Sequence, residues 1–341
     1  MKKVLAIALC LCMAAMLAAC SGAKEAEYKL GMGVALNTDS SAENNAQVDA
    51  TVATVVTDKD GKIVSCRIDV AQSKMDVTGG AVDTAATFKT KMELGDEYGM
   101  AGKVDNDGDG VMKEWYEQAK AFEEYVVGKT ADEVKGIQLQ EANGHQIAAD
   151  KDLLSAGCSM QITDFMEAVA AACNDEQGMS FKAGEFTLGV AASTSAADSK
   201  AATDEEDGLV AMYTDFSAAV VADGKIVAAL NDSVQPKITI NTNGEIVSSD
   251  YTATKRVLKG DYGMEGKVDN DGDGVMKEWF EQSEAFSKFI VGKTADEVAA
   301  LETQEANGHQ IAVDKDLLSA GCSMQITSMK DTSAKAAKNA R

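Results

Sequence analysis

The sequence contains little proline, few aromatic residues and few basic residues. A single proline and an aromatic share of 5% among 341 residues exclude collagen-like chains, Pro-rich chains and aromatic repeats. Lys and Arg number 32 against 55 Asp and Glu, which gives a formal net charge of -23. Because so acidic a surface repels phosphate backbones, we expect no nucleic-acid partner. Beyond residue 20, no apolar run approaches the roughly 20 residues of a membrane-spanning helix.

The start of the chain has the pattern of an export signal. Two lysines precede an apolar stretch that ends in Leu-Ala-Ala-Cys20. This ending resembles a bacterial lipoprotein box, in which the cysteine is acylated and becomes the new N-terminus. The resemblance implies an extracytoplasmic protein anchored to the cell membrane by a lipid on Cys20. The segments would be a signal peptide over residues 1–19 and a tether over residues 20–27. An ordinary cleaved signal with a chance cysteine is the alternative.

The cysteines give no sign of a metal or redox site. Four remain beyond Cys20, namely Cys66, Cys158, Cys173 and Cys322, and none lies in a CxxC motif or a Cys/His cluster. Secreted domains built on disulfides have denser and evenly paired cysteines. We expect small buried thiols, with a bridge between Cys66 and Cys158 as the alternative.

The chain contains one unit twice. Residues 98–163 match residues 262–327 without a gap, and 52 of the 66 positions are identical. The length suits two domains. The predicted organisation is a first copy over residues 28–173, a linker over 174–185, a second copy over 186–331 and a basic, frayed tail over 332–341. Because the copies are so alike, we expect both to bind the same ligand.

Each copy begins with strands and continues with helices. Alternating apolar residues over 51–57 and 62–70 flank an Asp-Lys-Asp-Gly turn, which predicts a β-hairpin. Apolar residues at helical spacing predict a helix over 113–126, and a capping box at Thr130 opens a shorter one. A further helix is expected over 164–173. This order predicts an α+β fold with two similar tandem domains, each a hairpin-rich antiparallel sheet with short helices.

An Asp-rich loop in each copy is the first candidate site. Carboxylates at positions 1, 3 and 5 with glycine at position 6 form the first half of an EF-hand calcium loop. The bidentate Glu of position 12 is replaced by Tyr116 in the first copy. A weak calcium site that rigidifies the loop and a solvated Asp/Gly loop are therefore both open. The candidate ligands are Asp105, Asp107 and Asp109, with Asp269, Asp271 and Asp273 in the second copy.

A second candidate is the segment Asp-Leu-Leu-Ser-Ala-Gly-Cys-Ser, which ends at Ser159 and, unchanged, at Ser323. With the hairpin, the Lys-Glu-Trp helix and the Gly-Lys-Thr cap before it, each copy resembles the FMN-binding domain family of exported, lipid-anchored flavoproteins. In that family a Ser-Gly-Ala-Thr segment carries FMN through a phosphoester bond. A flavin-transferring enzyme installs the flavin, which then relays electrons.

The resemblance implies FMN as cofactor and a degenerate attachment motif. Ser159 and Ser323 match the attachment position, and each segment contributes a glycine, Gly157 or Gly321. The family's aspartate falls one residue out of register, at Asp152 and Asp316. Flavin bound without a covalent bond remains open, as does a buried turn packed by small residues.

The function expected from the sequence is that of a membrane-anchored, extracytoplasmic FMN-binding lipoprotein. It would relay electrons between a membrane dehydrogenase and an extracellular acceptor, without substrate chemistry of its own. The main alternative is a non-enzymatic surface binding or structural lipoprotein with calcium-binding-like loops and no flavin. A solute-binding lipoprotein is a third possibility.

Overall fold

The structure is a computed structural model that describes residues 26–251 and 253–341. The predicted signal peptide, the predicted lipidation site at Cys20 and the predicted tether up to residue 25 lie outside these residues. The last two residues of the predicted tether already belong to the first strand, which begins at Ala26. Among the described residues, no helix has both the length and the apolarity needed to cross a bilayer.

The first copy contains a long hairpin followed by short helices. Its strands are β1 (Ala26–Asn37), β2 (Asn45–Thr57), β3 (Ile63–Asp76), β4 (Leu139–Ala142) and β5 (His145–Ala148). Its helices are α1 (Lys91–Leu94), α2 (Trp115–Tyr125), α3 (Ala131–Lys135), α4 (Lys151–Ser155) and α5 (Thr163–Cys173). Strand β6 (Met179–Ala183) follows.

The remaining elements repeat this order with an inserted sheet. The strands are β7 (Thr187–Ser195), β8 (Gly208–Val210), β9 (Tyr213–Ala222), β10 (Lys225–Val234), β11 (Lys237–Ile240), β12 (Ile246–Asp250), β13 (Thr303–Ala306) and β14 (His309–Ala312). The helices are α6 (Lys255–Leu258), α7 (Trp279–Phe289), α8 (Ala295–Ala299), α9 (Lys315–Ser319) and α10 (Thr327–Lys338).

All sheets of the described residues are antiparallel. The strand orders are β3-β2-β1-β6, β10-β9-β7 and β12-β11-β8, and β4-β5 and β13-β14 are separate hairpins. Helices and antiparallel sheets occur together in both copies, which confirms the α+β class. The predicted hairpin is β2–β3, and its turn is stabilised by Asp58, whose Oδ1 accepts the N–H groups of Asp60 and Lys62. The capping box at Thr130 is also confirmed, and so is its repeat at Thr294.

A helix lies directly on the first sheet strand of each copy. A Cβ on Gly31 would meet the carbonyl oxygen of Ala172 in α5 at 2.0 Å, and one on Gly189 would meet that of Ala336 in α10 at 1.9 Å. Only glycine permits so close an approach of strand and helix backbones. These equivalent contacts identify α10 as the counterpart of α5.

Two segments differ from the sequence prediction. The segment expected to be a linker, 174–185, contains β6, which pairs with β1 and extends the first sheet. Within the same segment, Asp175 forms a buried ion pair with Arg256 at 3.0 Å. The tail over 332–341, expected to fray, continues α10 to Lys338. Its alanine-rich face is buried on the second sheet, and Lys335 pairs with Glu93 of the first copy at 2.6 Å.

The two copies share one apolar core. A single buried cluster contains Leu30, Val52 and Val56 of the first sheet together with Val190, Phe216 and Leu230 of the second. Separate clusters lie under the helices of each copy. Because burial of apolar surface dominates folding free energy, this shared cluster joins the copies into one packed unit.

Two equivalent aspartates lie deep in the structure. Asp69 is buried, and its Oδ1 accepts the N–H groups of Val70 and Met92. Burial raises the pKa of Asp69 to about 6, because desolvation disfavours the carboxylate more than these hydrogen bonds stabilise it. Asp232 accepts the N–H groups of Ser233 and Arg256 in the same way, and burial also raises its pKa.

The four described cysteines are free, and three of them are buried. The expectation of small buried thiols is confirmed for Cys66, Cys158 and Cys322, and the alternative bridge between Cys66 and Cys158 is not formed. Burial raises the pKa of Cys158 and of Cys322 to about 12. Such thiols are poor nucleophiles and poor ligands for a metal.

Candidate functional site

The Asp-rich loops bring their carboxylates together as the spacing predicts. In each copy one oxygen from each of three aspartates lies within 4.8 Å of the others, from Asp105, Asp107 and Asp109 and from Asp269, Asp271 and Asp273. In each loop, two backbone N–H groups donate hydrogen bonds to the carboxylate of the first aspartate. Oδ1 of the middle aspartate is buried without a hydrogen-bond partner in both copies. Burial first, and then the neighbouring carboxylates, raise the pKa of this residue.

The serine segments are held by side chains of the loop and the following helix. In the second copy, Oε1 of Gln282 accepts the N–H groups of Ser323 and Met324 at 3.0 and 2.9 Å. Asn270 donates to the carbonyl of Ser323 at 2.9 Å, and Lys277 donates to that of Ala320 at 2.8 Å. The same contacts recur in the first copy around Gln118. The Asp-rich loop, the helix and the serine segment therefore form one connected unit in each copy.

The predicted attachment hydroxyls lie inside this unit. Ser159 and Ser323 are each 1% exposed, and neither hydroxyl has a hydrogen-bond partner among the described residues. A phosphoester bond to either oxygen requires the segment to open first. Gly157 and Gly321 end the preceding short helices with φ of +85° and +83°, and the stem of a lysine covers each Cα. These glycines are therefore required by the turn itself.

The aspartates of the degenerate motif lie on the surface. Asp152 and Asp316 occupy the first turns of α4 and α9 and are exposed. The residues that cap these helices are Asp150 and Asp314, whose side chains accept backbone N–H groups. The structure thus gives Asp152 and Asp316 no contact with the serine hydroxyls.

A cavity of about 750 Å³ lies beside the serine segment of the second copy. One side consists of strand residues that include Ser193, Tyr213 and Ser233. The other side contains Met324, which directly follows Ser323, and Asn270 of the Asp-rich loop. Its volume is within the range of small-molecule and cofactor pockets, roughly 300–1,000 Å³.

The inner wall of this cavity combines a lysine with two aromatic rings. Nζ of Lys255 lies 4.9 Å from the ring centre of Tyr262 and 5.1 Å from that of Trp279. Both distances are typical of cation–π contacts. The first copy has the same arrangement, in which Lys91 lies 5.0 Å from Tyr98 and 5.6 Å from Trp115.

The strand side of the cavity is not repeated in the first copy. Aligning the copies on Gly31 and Gly189 places Ala35 opposite Ser193, and aligning them on the buried aspartates places Val70 opposite Ser233. Phe165 occupies the position of Met329. Ala35, Val70 and Phe165 are all buried in one apolar cluster, where Phe165 packs edge-on against Trp115 with ring centres 5.8 Å apart. Apolar groups thus line the first copy where the second has hydroxyls.

The residues that line the second-copy cavity suit FMN better than the equivalent residues of the first copy do. Aromatic rings suit a flat isoalloxazine, and the lysine and serine side chains suit a phosphate and hydroxyl-bearing chain. The unpaired Ser323 hydroxyl lies one residue from the cavity wall. The residues of the second copy therefore suit a flavin.

Sequence reasoning identified the serine segment but missed the lysine and the strand residues. Lys255 is the first residue of a helix of four residues, and Tyr213 and Ser233 lie in strands that show no functional motif. One signal was available in the sequence. Lys91 and Trp115 of the first copy recur as Lys255 and Trp279 of the second copy, in the same alignment as residues 98–163 and 262–327.

Comparison with known proteins gives a match to part of the chain. The chain is 31% identical over 159 residues to a protein of Desulfitobacterium hafniense named chlorophenol reductase. The alignment covers 40% of this chain and 47% of the relative, so the similarity spans about half of that protein. No protein-family model matches the chain, and no solved structure matches it either.

Proposed function

We propose that the protein is an extracytoplasmic, lipid-anchored flavoprotein that relays electrons, with FMN in the second-copy cavity. The observation that carries this proposal is the cavity itself, in which Trp279, Tyr262 and Lys255 face the serine segment. The resemblance to FMN-binding domains and the similarity to a protein named as a reductase both support a redox role.

The chain's own residues would bind and orient the cofactor. The bound flavin supplies exchange of one or two electrons. Gln282 and Asn270 fix the serine segment beside the cavity, and Tyr262 and Trp279 line the cavity with their rings.

The proposed partners follow from the proposed location. A lipid on Cys20 would hold the protein at the outer face of the membrane. A membrane dehydrogenase would then donate electrons, and an extracellular acceptor would receive them. The acidic surface, with a net charge of -23, favours partners with basic docking surfaces.

Covalent attachment at Ser159 and Ser323 is a separate prediction. It is tested by producing the chain together with a flavin-transferring enzyme and recording fluorescence on a denaturing gel and the intact mass. A gel-stable signal that is lost in Ser323→Ala establishes the bond at that residue. Visible colour that disappears on denaturation leaves FMN binding and removes the bond.

Calcium binding by the Asp-rich loops is a second candidate function. The buried, unpaired Oδ1 of Asp107 and of Asp271 favours it, because a cation would supply the missing partner. We expect calcium to raise the melting temperature and EDTA to reverse the effect. The variants Asp107→Asn and Asp271→Asn should each remove one binding event in calorimetry. A titration of the unaltered chain without heat would end this proposal.

A further inference from the structure

Lys255 is a buried cation without an anionic partner. The residue is 9% exposed, and its ammonium makes no hydrogen bond or ion pair with residues 26–251 or 253–341. The stem of the side chain is buried, whereas Nζ itself is not fully buried and opens onto the cavity. Partial removal of an ammonium from water costs free energy unless acceptors compensate it. Contacts with the rings of Tyr262 and Trp279 offset part of that cost, but they leave the N–H donors unused. The ammonium faces the cavity, where a ligand can accept hydrogen bonds from its N–H groups.

The other charges of the cavity lie closer to solvent. Asp198 and Lys267 are exposed, and Asp215 is partly exposed. Water screens exposed charges more strongly than buried ones. The electrostatic potential at the inner end is therefore set mainly by Lys255, although the protein as a whole is strongly acidic.

The polar groups that line the same cavity as Lys255 indicate the chemistry of the anion. Serine hydroxyls of the cavity, from Ser193, Ser195, Ser233 and Ser328, can donate to several oxygens of one ligand. A lysine charge combined with hydroxyl donors is a usual set of ligands for a phosphate group. The first copy differs, because Lys91 is more exposed and apolar residues replace Ser193 and Ser233.

We infer that Lys255 is the anion-binding group of the second-copy cavity and that its ligand is a phosphate monoester. This inference rests on the proposed function in one respect, since it identifies the monoester as the terminal phosphate of FMN. It places that phosphate at the inner end, against the ammonium, rather than on the Ser323 hydroxyl.

The test compares three probes by calorimetric titration of the full chain: FMN, riboflavin and phenyl phosphate. Riboflavin lacks the phosphate, and phenyl phosphate lacks the flavin. In Lys255→Gln, we expect FMN and phenyl phosphate to bind at least ~10-fold more weakly, the usual effect of losing a charged hydrogen bond. Riboflavin binding should change less than ~2-fold, which also shows that the variant is folded. Lys255→Arg should retain most of the affinity for FMN.

Lys91→Gln is the matched control, because it removes the equivalent lysine of the first copy and should leave all three affinities unchanged. Equal weakening of FMN and riboflavin in Lys255→Gln overturns the phosphate assignment. So does an unchanged affinity for FMN and phenyl phosphate. If the unaltered chain binds neither flavin but binds phenyl phosphate through Lys255, the proposed flavin function fails while the anion site stands.

Discussion

A substitution of Gln282 can distinguish an effect on stability from an effect on FMN binding. Its side chain is fully buried, its Oε1 accepts two backbone N–H groups of the serine segment, and its Nε2 donates to the carbonyl of Lys277 at 2.9 Å. Gln282→Leu keeps a similar volume but leaves two buried donors without an acceptor. Each orphaned donor costs about 1–3 kcal/mol, so we expect the free energy of unfolding to fall by about 2–6 kcal/mol.

Gln118→Leu is the matched variant, because Gln118 makes the same three contacts in the first copy. Urea unfolding should therefore show similar losses for the two variants. FMN titration should separate them, since Met324 and Gln325, which follow the serine segment of the second copy, line the proposed FMN cavity. We expect Gln282→Leu to weaken FMN binding about 10-fold, the effect of roughly 1.4 kcal/mol, and Gln118→Leu to leave it unchanged.

Two results would refute this reasoning. A loss of unfolding free energy below about 1 kcal/mol in Gln282→Leu would show that the segment does not depend on these hydrogen bonds. Equal weakening of FMN binding by both variants would show that the second-copy cavity is not the flavin site.

Three further predictions concern stability and reactivity. Because burial raises the folded pKa of Asp69 to about 6, above its unfolded value of about 3.9, lowering the pH from 7 to 4 should raise the free energy of unfolding by about 2 kcal/mol. Asp69→Asn should flatten this dependence in urea unfolding, and an unchanged profile contradicts it. Cys158 and Cys322 should resist a thiol reagent at pH 8 until the chain is denatured; rapid native labelling contradicts their burial. Gly189→Ala should lower the melting temperature by 10 °C or more, roughly, and a smaller shift would show that α10 can move away from β7.

Local patterns predicted the parts of the fold that depend on neighbouring residues. The β2–β3 hairpin follows from alternation and from turn chemistry at Asp58, and the capping boxes follow from a four-residue spacing. The tail was misinterpreted, although alanine and lysine favour helices and its small residues recur at helical spacing. Strand β6 was missed because its pairing partner, β1, lies about 150 residues earlier in the sequence.

The cavity could not be predicted because its residues are distant in the chain. Tyr213, Lys255 and Met324 lie far apart in the sequence, and they line one cavity only in the folded chain. The duplication also suggested that both copies bind the same ligand. That expectation came from the close identity between residues 98–163 and 262–327. The copies differ outside these matching segments. Before them, the first copy has Val70 where the second has Ser233, and after them it has Phe165 where the second has Met329.

The central claim is that the second copy binds FMN, and a titration of FMN against the full chain tests it most directly. Flavin fluorescence and calorimetry should agree on one bound FMN per chain, with binding weakened at least ~10-fold by Lys255→Gln and unchanged by Lys91→Gln. Absence of saturable binding at millimolar FMN would contradict the account. Two equivalent sites, each lost with its own lysine, would contradict the asymmetry between the copies.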